Sequence, residues 1–176
     1  MLIDKMYGQE RIESIRKYLD YLENHLENVR LAFDQVSKAC SEMWWIKDDV
    51  SWHTLRQDVC EHDISKFSAD EFIQYVEAFY PDRHVDEQKA RASLAAAWEH
   101  HKANNLHHHE SATCDLDLVH MVIDWTAMGY KFGDTAELFY RKHAAEMNFS
   151  DAQVDFLNEI FTCIAKRTAE MTKVKD

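Results

Sequence analysis

The chain predicts an all-α protein, a single-domain helical bundle, on three observations. Three Gly and one Pro in 176 residues leave little material for hairpin turns. Apolar residues recur at spacings of three and four over long stretches, the pattern of a helix that buries one face. With 46% hydrophobic and 12% aromatic residues, the chain is apolar enough to fill a core. The expected domain covers 1–176, with a core over about 11–146 and a C-terminal helix over 150–172.

The first helix is expected from Arg11 to about Ser41. Ile12, Ile15, Leu19, Leu22, Leu26, Val29, Phe33 and Val36 step along one face, and Glu23, Glu27, Arg30 and Lys38 mark the wet side. His25 falls between Leu22 and Val29 on the apolar side, where it fits either a core histidine bonded to a carbonyl or a ligand. Met43-Trp44-Trp45 forms a connector or short helix. A second helix, about Asp49 to Asp63, carries Trp52, Leu55 and Val59 on one stripe and delivers His62-Asp63 at its end; His53 lies off the stripe, at the periphery.

Ser68-Ala69-Asp70-Glu71 has the form of a capping box and opens a helix through Phe72, Val76 and Phe79, stopped by Tyr80-Pro81. Lys66 then sits in the junction between two helices, within reach of the His-Asp pair. Residues 82–88 read as a charged, exposed loop. The helix at roughly 86–103 has Leu94, Trp98 and His101 on one stripe, and Ala95-Ala96-Ala97 allows close packing. A polar loop, Asn104 to Glu110, holds His107, His108 and His109. In the next helix, about 115–131, Leu116, Val119 and Ile123 are apolar, Asp124 interrupts, and Gly129 and Gly133 bracket the end. Two amphipathic helices near 134–146 and 150–172 complete the chain, the last capped by Ser150.

The formal net charge of −12 opposes long nucleic acids and anionic membranes as partners, but not a small phosphorylated substrate held locally by a metal. No apolar run reaches the ~18 residues of a membrane span. The charged start, with Asp4, Lys5, Glu10 and Arg11, is no signal peptide. Cys40, Cys60, Cys114 and Cys163 are scattered without a CxxC pair and read as reduced core thiols. A cytoplasmic protein is expected, in the host cytoplasm if the gene is viral; a homo-oligomer stays open.

The chemistry gathers on His25, His62-Asp63, His100-His101, His107-His108 and Asp124, each on or beside an otherwise apolar helical surface. A neutral imidazole and a carboxylate side by side can ligate one cation, and burying them without a partner costs several kcal/mol, order of magnitude. The expected ligands are His25, His62, Asp63, His101, His107, His108 and Asp124, around one or two divalent ions of Mn, Fe, Mg or Zn. Within the histidine-rich part, His101 and His108 are expected inward, His100 in support and His109 exposed.

His25, His62-Asp63, Lys66 and Asp124, in that order, resemble the HD-domain superfamily of metal-dependent phosphohydrolases. That pattern is a His on an early helix, an adjacent His-Asp, often a Lys three residues on, and an Asp on a later helix. Its binuclear branches insert further histidines, which His101 and His107-His108 could match. The chain is also similar to a little-studied bacterial and phage domain family, through His62-Asp63-Ile64-Ser65-Lys66-Phe67, Ala97-Trp98-Glu99-His100-His101 with Asn105 and His107-His108, and Asp124-Trp125-Thr126-Ala127-Met128. Leu106 departs from that family, standing where a Pro is expected, and the gap from His101 to His107 is shorter than in binuclear enzymes. Both bear on a second metal.

The superfamily resemblance implies an HD-type bundle and hydrolysis of a small phosphorylated substrate, a nucleotide by analogy, by metal-activated water. Lys66 would then offset charge on the phosphate oxygens, Asp63 would serve at the ion, and Glu110 would carry a proton. An HD-type di-iron oxygenase and a non-catalytic, metal-stabilised helical binding protein are the rival expectations.

Overall fold

The computed structural model describes residues 7–173, so Asp4 and Lys5 of the charged start lie outside it. Among the described residues the protein is all-α and holds no strand. The helices are α1 (Tyr7–Ala39), α2 (Trp44–Lys47), α3 (Asp49–Cys60), α4 (Phe72–Phe79), α5 (Glu87–Asn104), α6 (Asp115–Phe132), α7 (Ala136–His143) and α8 (Asp151–Lys173). None is long and apolar enough to cross a membrane.

The chain falls into two compact units. One is the chain up to Asn24 with Asp63–Asn105; the other is His25–His62 with everything from Leu106 onward. In the first unit α4 packs on α5, and Tyr18, Leu22, Tyr75, Val76 and Ala97 form its core. Ion pairs from Arg11 to Glu77 (2.5 Å) and from Arg83 to Glu10 (3.1 Å) tie its two chain segments together.

In the second unit α6 is the central element, packed on α3, α7 and α8. Every residue from Asp117 to Ile123 is buried, as are Trp125, Thr126 and Ala127. A helix covered on most of its circumference needs few charges, which is why Asp124 stands out. α6 ends at Gly133, in the left-handed conformation at φ 72°, with its N–H bonded to the Gly129 carbonyl. A Cβ on Gly129 would lie 2.5 Å from the Asp134 carbonyl oxygen, so only glycine fits there.

Three sequence expectations change. Along α1 the buried positions are Ser14, Tyr18, Leu22, His25, Val29, Ala32 and Val36, while Ile12 and Leu19 are exposed. Tyr and Ala occupy core positions that a search for large aliphatics passes over. The residues at 68–71 do not form a capping box: α4 begins only at Phe72 and its N-cap is Glu71 itself, whose side chain makes no cap bond. All four cysteines are free, but Cys60 and Cys114 are exposed; only Cys40 is core, its thiol pushed up to about 12 by burial and then by Cys163.

Candidate metal centre

The second unit gathers a buried imidazole cluster from four places in the chain. His25 comes from α1, His62 from the turn after α3, His107 from the segment after α5, and His120 from α6. All four are at most 7% exposed. Asp124 follows His120 at i+4 on α6, so both carboxylate and imidazole project from the same helix face. His25 Nε2 lies 3.0 Å from His62 Nε2. Asp124 Oδ1 lies 3.4 Å from His25 Nε2 and 3.5 Å from His62 Nε2.

Donors bound at about 2.0–2.2 Å to a single divalent ion lie roughly 3–3.5 Å from one another, the size of this triangle. Burial pushes the Asp124 carboxyl up, but the hydrogen bond with His62 and the positive charge that His62, His107 and His25 carry when protonated outweigh it and hold the group well below the usual carboxylate range. The other nitrogen of His62, Nδ1, is 2.9 Å from His120 Nε2. A hydrogen bond there orients the His62 ring so that Nε2 faces His25 and Asp124. His107 stacks on His62 with ring centroids 4.3 Å apart. Ring nitrogens of His62, His107 and His120 also lie within 4.8 Å of one another. Buried His and Asp groups close enough to share a metal ion are therefore present.

The first unit carries a second polar network. Asp63 is the one described non-glycine residue in the left-handed region, at φ 59°, a conformation Asp tolerates better than most. After it the chain enters the 3-10 turn Ile64–Phe67, and the Lys66 N–H bonds back to the Asp63 carbonyl. The Lys66 ammonium donates to Asp63 Oδ2 at 2.5 Å, and His101 Nε2 is 3.2 Å from Asp63 Oδ1. Glu71, fully buried, lies 2.7 Å from His100 Nδ1 and 2.9 Å from His101 Nδ1. Burial pushes the phenols of Tyr18 and Tyr75 up, and the charges of Asp63 and Glu71 add to that shift.

Of the residues expected from sequence, the second unit thus brings together His25, His62, His107 and Asp124. The first unit brings together Asp63, Lys66 and His101, with His100 in support through Glu71. Within the histidine doublet the order differs from expectation: His107 is buried, whereas His108 is half-buried, its ring centroid 4.5 Å from that of His107. His109 is half-buried rather than exposed, and Glu110 is exposed with Oε2 3.3 Å from His109 Nε2, so a proton carrier at Glu110 gains no support from its placement. His53 is exposed, as expected.

Two further residues join these networks. His120 is the i−4 partner of Asp124, a spacing visible in the sequence although it lies within an apolar run, and Glu71 carries the spacing of a capping residue while its carboxylate serves His100 and His101.

A family model matches residues 14–163, most of the chain, and it is the model of a family of unknown function. No curated protein and no solved structure matches the chain.

Proposed function

The chain belongs to that family, DUF5662, and we propose that it is a metal-dependent phosphohydrolase acting on a small phosphorylated substrate, a nucleotide by preference. The observation that carries the proposal is the triangle of His25 Nε2, His62 Nε2 and Asp124 Oδ1, with sides of 3.0, 3.4 and 3.5 Å. Two imidazoles and a carboxylate suit Mn²⁺, Fe²⁺ or Zn²⁺ better than Mg²⁺, which prefers an all-oxygen shell. In the first unit, Asp63 Oδ1 and His101 Nε2, 3.2 Å apart, are the start of a second seat.

A bound ion would lower the pKa of a water and polarise a phosphoryl oxygen. The protein's own part is to hold the donors in place. His120 orients His62 through Nδ1, and His107 backs the His62 ring. The Asp124 carboxylate stays ionised and offsets part of the charge of a dication. Lys66 is committed to Asp63, so it adds no ligand; its contribution to substrate is the part carried over from the superfamily resemblance. The net charge of −12 supports a small substrate over a polyanion.

The test is elemental analysis of the purified protein, followed by assays at matched metal loading against nucleoside mono- and triphosphates and simple phosphate esters. Metal-dependent phosphate release supports the proposal. Bound iron with O₂ consumption would replace it by the oxygenase reading. A metal-loaded protein inert to the whole panel would replace it by the helical binding module.

A further inference from the structure

We infer that Glu71 is a positioning residue for the histidines of the first unit: it fixes the proton of both His100 and His101 on Nδ1 and so leaves His101 Nε2 as the atom offered to a cation beside Asp63. The inference rests on the metal-binding part of the proposed function and not on hydrolysis.

The argument starts from burial. A carboxylate with no exposed surface survives in a protein interior only where donors surround it. Glu71 has two, His100 Nδ1 on Oε1 at 2.7 Å and His101 Nδ1 on Oε2 at 2.9 Å. An ionised carboxylate accepts and never donates, so each of those ring nitrogens carries the proton. A neutral ring protonated at Nδ1 has its lone pair on Nε2.

For His101 that lone pair faces Asp63 Oδ1 at 3.2 Å. Asp63 is likewise an acceptor, and its other oxygen already takes the Lys66 ammonium. With the ring neutral, two acceptors meet at this distance and a cation between them would hold both; a second proton, making His101 an imidazolium between Asp63 and Glu71, is the competing arrangement. Two aromatic rings pack against the imidazole: Trp98 stacks on it at 5.7 Å and 26°, and Tyr75 meets it edge-on at 6.2 Å and 89°. Asn105 Nδ2 and Ser65 Oγ each also lie 3.1 Å from His101 Nδ1, farther than Glu71; Asn105 already donates to Ser65 Oγ at 2.8 Å and to the His101 carbonyl at 2.7 Å, and the Ser65 hydroxyl can accept from the ring as Glu71 does. Glu71 is the charged group on that edge of the ring. A buried carboxylate behind a ligating histidine is the general way a protein sets the ligand's tautomer and raises its basicity.

Glu71→Gln tests this while preserving shape. The amide puts a donor where one carboxylate oxygen stood, and the histidine facing it must turn Nδ1 into an acceptor, moving its proton to Nε2. If that ring is His101, the new Nε2–H donates to Asp63 and closes the seat.

Long-range ¹⁵N–¹H NMR of the metal-free protein reads both tautomers, and calorimetric titration with Zn²⁺ reads the seat. The wild type is expected to carry its proton on Nδ1 alone in both rings, and a His101 protonated on both nitrogens would overturn the inference. In Glu71→Gln one ring switches to Nε2–H, and where that ring is His101 the Zn²⁺ affinity of the seat falls by ~10- to 100-fold. Two rings unchanged in the variant, or a switched His101 with unchanged Zn²⁺ affinity, would overturn the inference, whereas a switch at His100 alone with unchanged affinity supports it. If the wild type takes up no Zn²⁺, the metal proposal fails, and the tautomers still decide the role of Glu71. Should Glu71→Gln fail to fold, a wild-type His101 protonated on Nε2, alone or together with Nδ1, would overturn the inference, and protonation of both rings on Nδ1 alone would support it.

Discussion

Asp124→Asn removes the one formal charge from the three donors of the second unit and leaves their shape almost intact. Asp124 Oδ1 lies 3.4 and 3.5 Å from the two imidazole nitrogens, so an amide fits the same space but meets a dication as a neutral group. Loss of a supporting partner of a metal ligand costs about 10–100-fold in affinity, and loss of the charged donor itself should cost at least the upper figure. A ligand at ~100 times its Kd stabilises the folded state by about 2.7 kcal/mol, and at its Kd by only about 0.4 kcal/mol. For a chain of this size each kcal/mol moves Tm by roughly 2–4 °C. The wild type should therefore gain roughly 5–11 °C from Mn²⁺ at ~100 Kd, and Asp124→Asn roughly 1–2 °C at the same concentration. Differential scanning calorimetry of metal-free and Mn²⁺-loaded samples of both proteins provides the comparison, because the metal-free scans remove any direct effect of the substitution on folding. An equal Mn²⁺-dependent rise in the two proteins would refute the assignment of Asp124 as a ligand.

The other perturbations probe the scaffold around the site. Lys66→Ala leaves the buried Asp63 without its ammonium and should destabilise by about 3–5 kcal/mol, with much of that loss relieved in Lys66→Ala/Asp63→Asn, as a double-mutant cycle by urea denaturation would measure. Steady-state kinetics at matched metal loading isolate any catalytic part, for which the proposed hydrolase should lose ~10- to 1000-fold in kcat/KM. Gly129→Ala should lower stability by about 1–3 kcal/mol in chemical denaturation, since its Cβ meets the Asp134 backbone at 2.5 Å and α6 must shift; an unchanged midpoint would mean that the end of α6 moves freely. Tyr18 and Tyr75 have folded pKa values raised above the unfolded value of ~10, so the stability they contribute is full below pH ~10 and is lost as pH rises through the folded values. Tyr75→Phe should then move the alkaline unfolding midpoint, followed by circular dichroism, to higher pH; a midpoint that stays put would show that Tyr75 does not titrate with unfolding.

Much of this protein was legible from residue order alone. The scarcity of Gly and Pro and the three-and-four spacing of apolar residues point to helices because both report on local backbone preference and on which face of a helix meets a core. His62-Asp63 and Asp124 were visible for the same reason, as polar groups where the periodicity demands apolar ones. What residue order could not decide was where local rules give way to packing. Glu71 satisfies the spacing of a capping box, yet two histidines some thirty residues later take its carboxylate, because burying an ionised group demands more donors than one helix end can supply. Tyr18 and Ala32 fill core positions on α1 that Ile12 and Leu19 were expected to share, since only the neighbouring elements decide which stripe is covered. Asp63 takes a left-handed backbone that nothing in its neighbours announces. The choice of His107 over His108 as the buried ring, and the arrival of His120 beside His62, depend on distances across the fold rather than along the chain. Which donors a cation meets is a property of tertiary packing: it is set where separate segments place their ring nitrogens within a few ångströms, and sequence spacing constrains that only for pairs on one helix, such as His120 and Asp124.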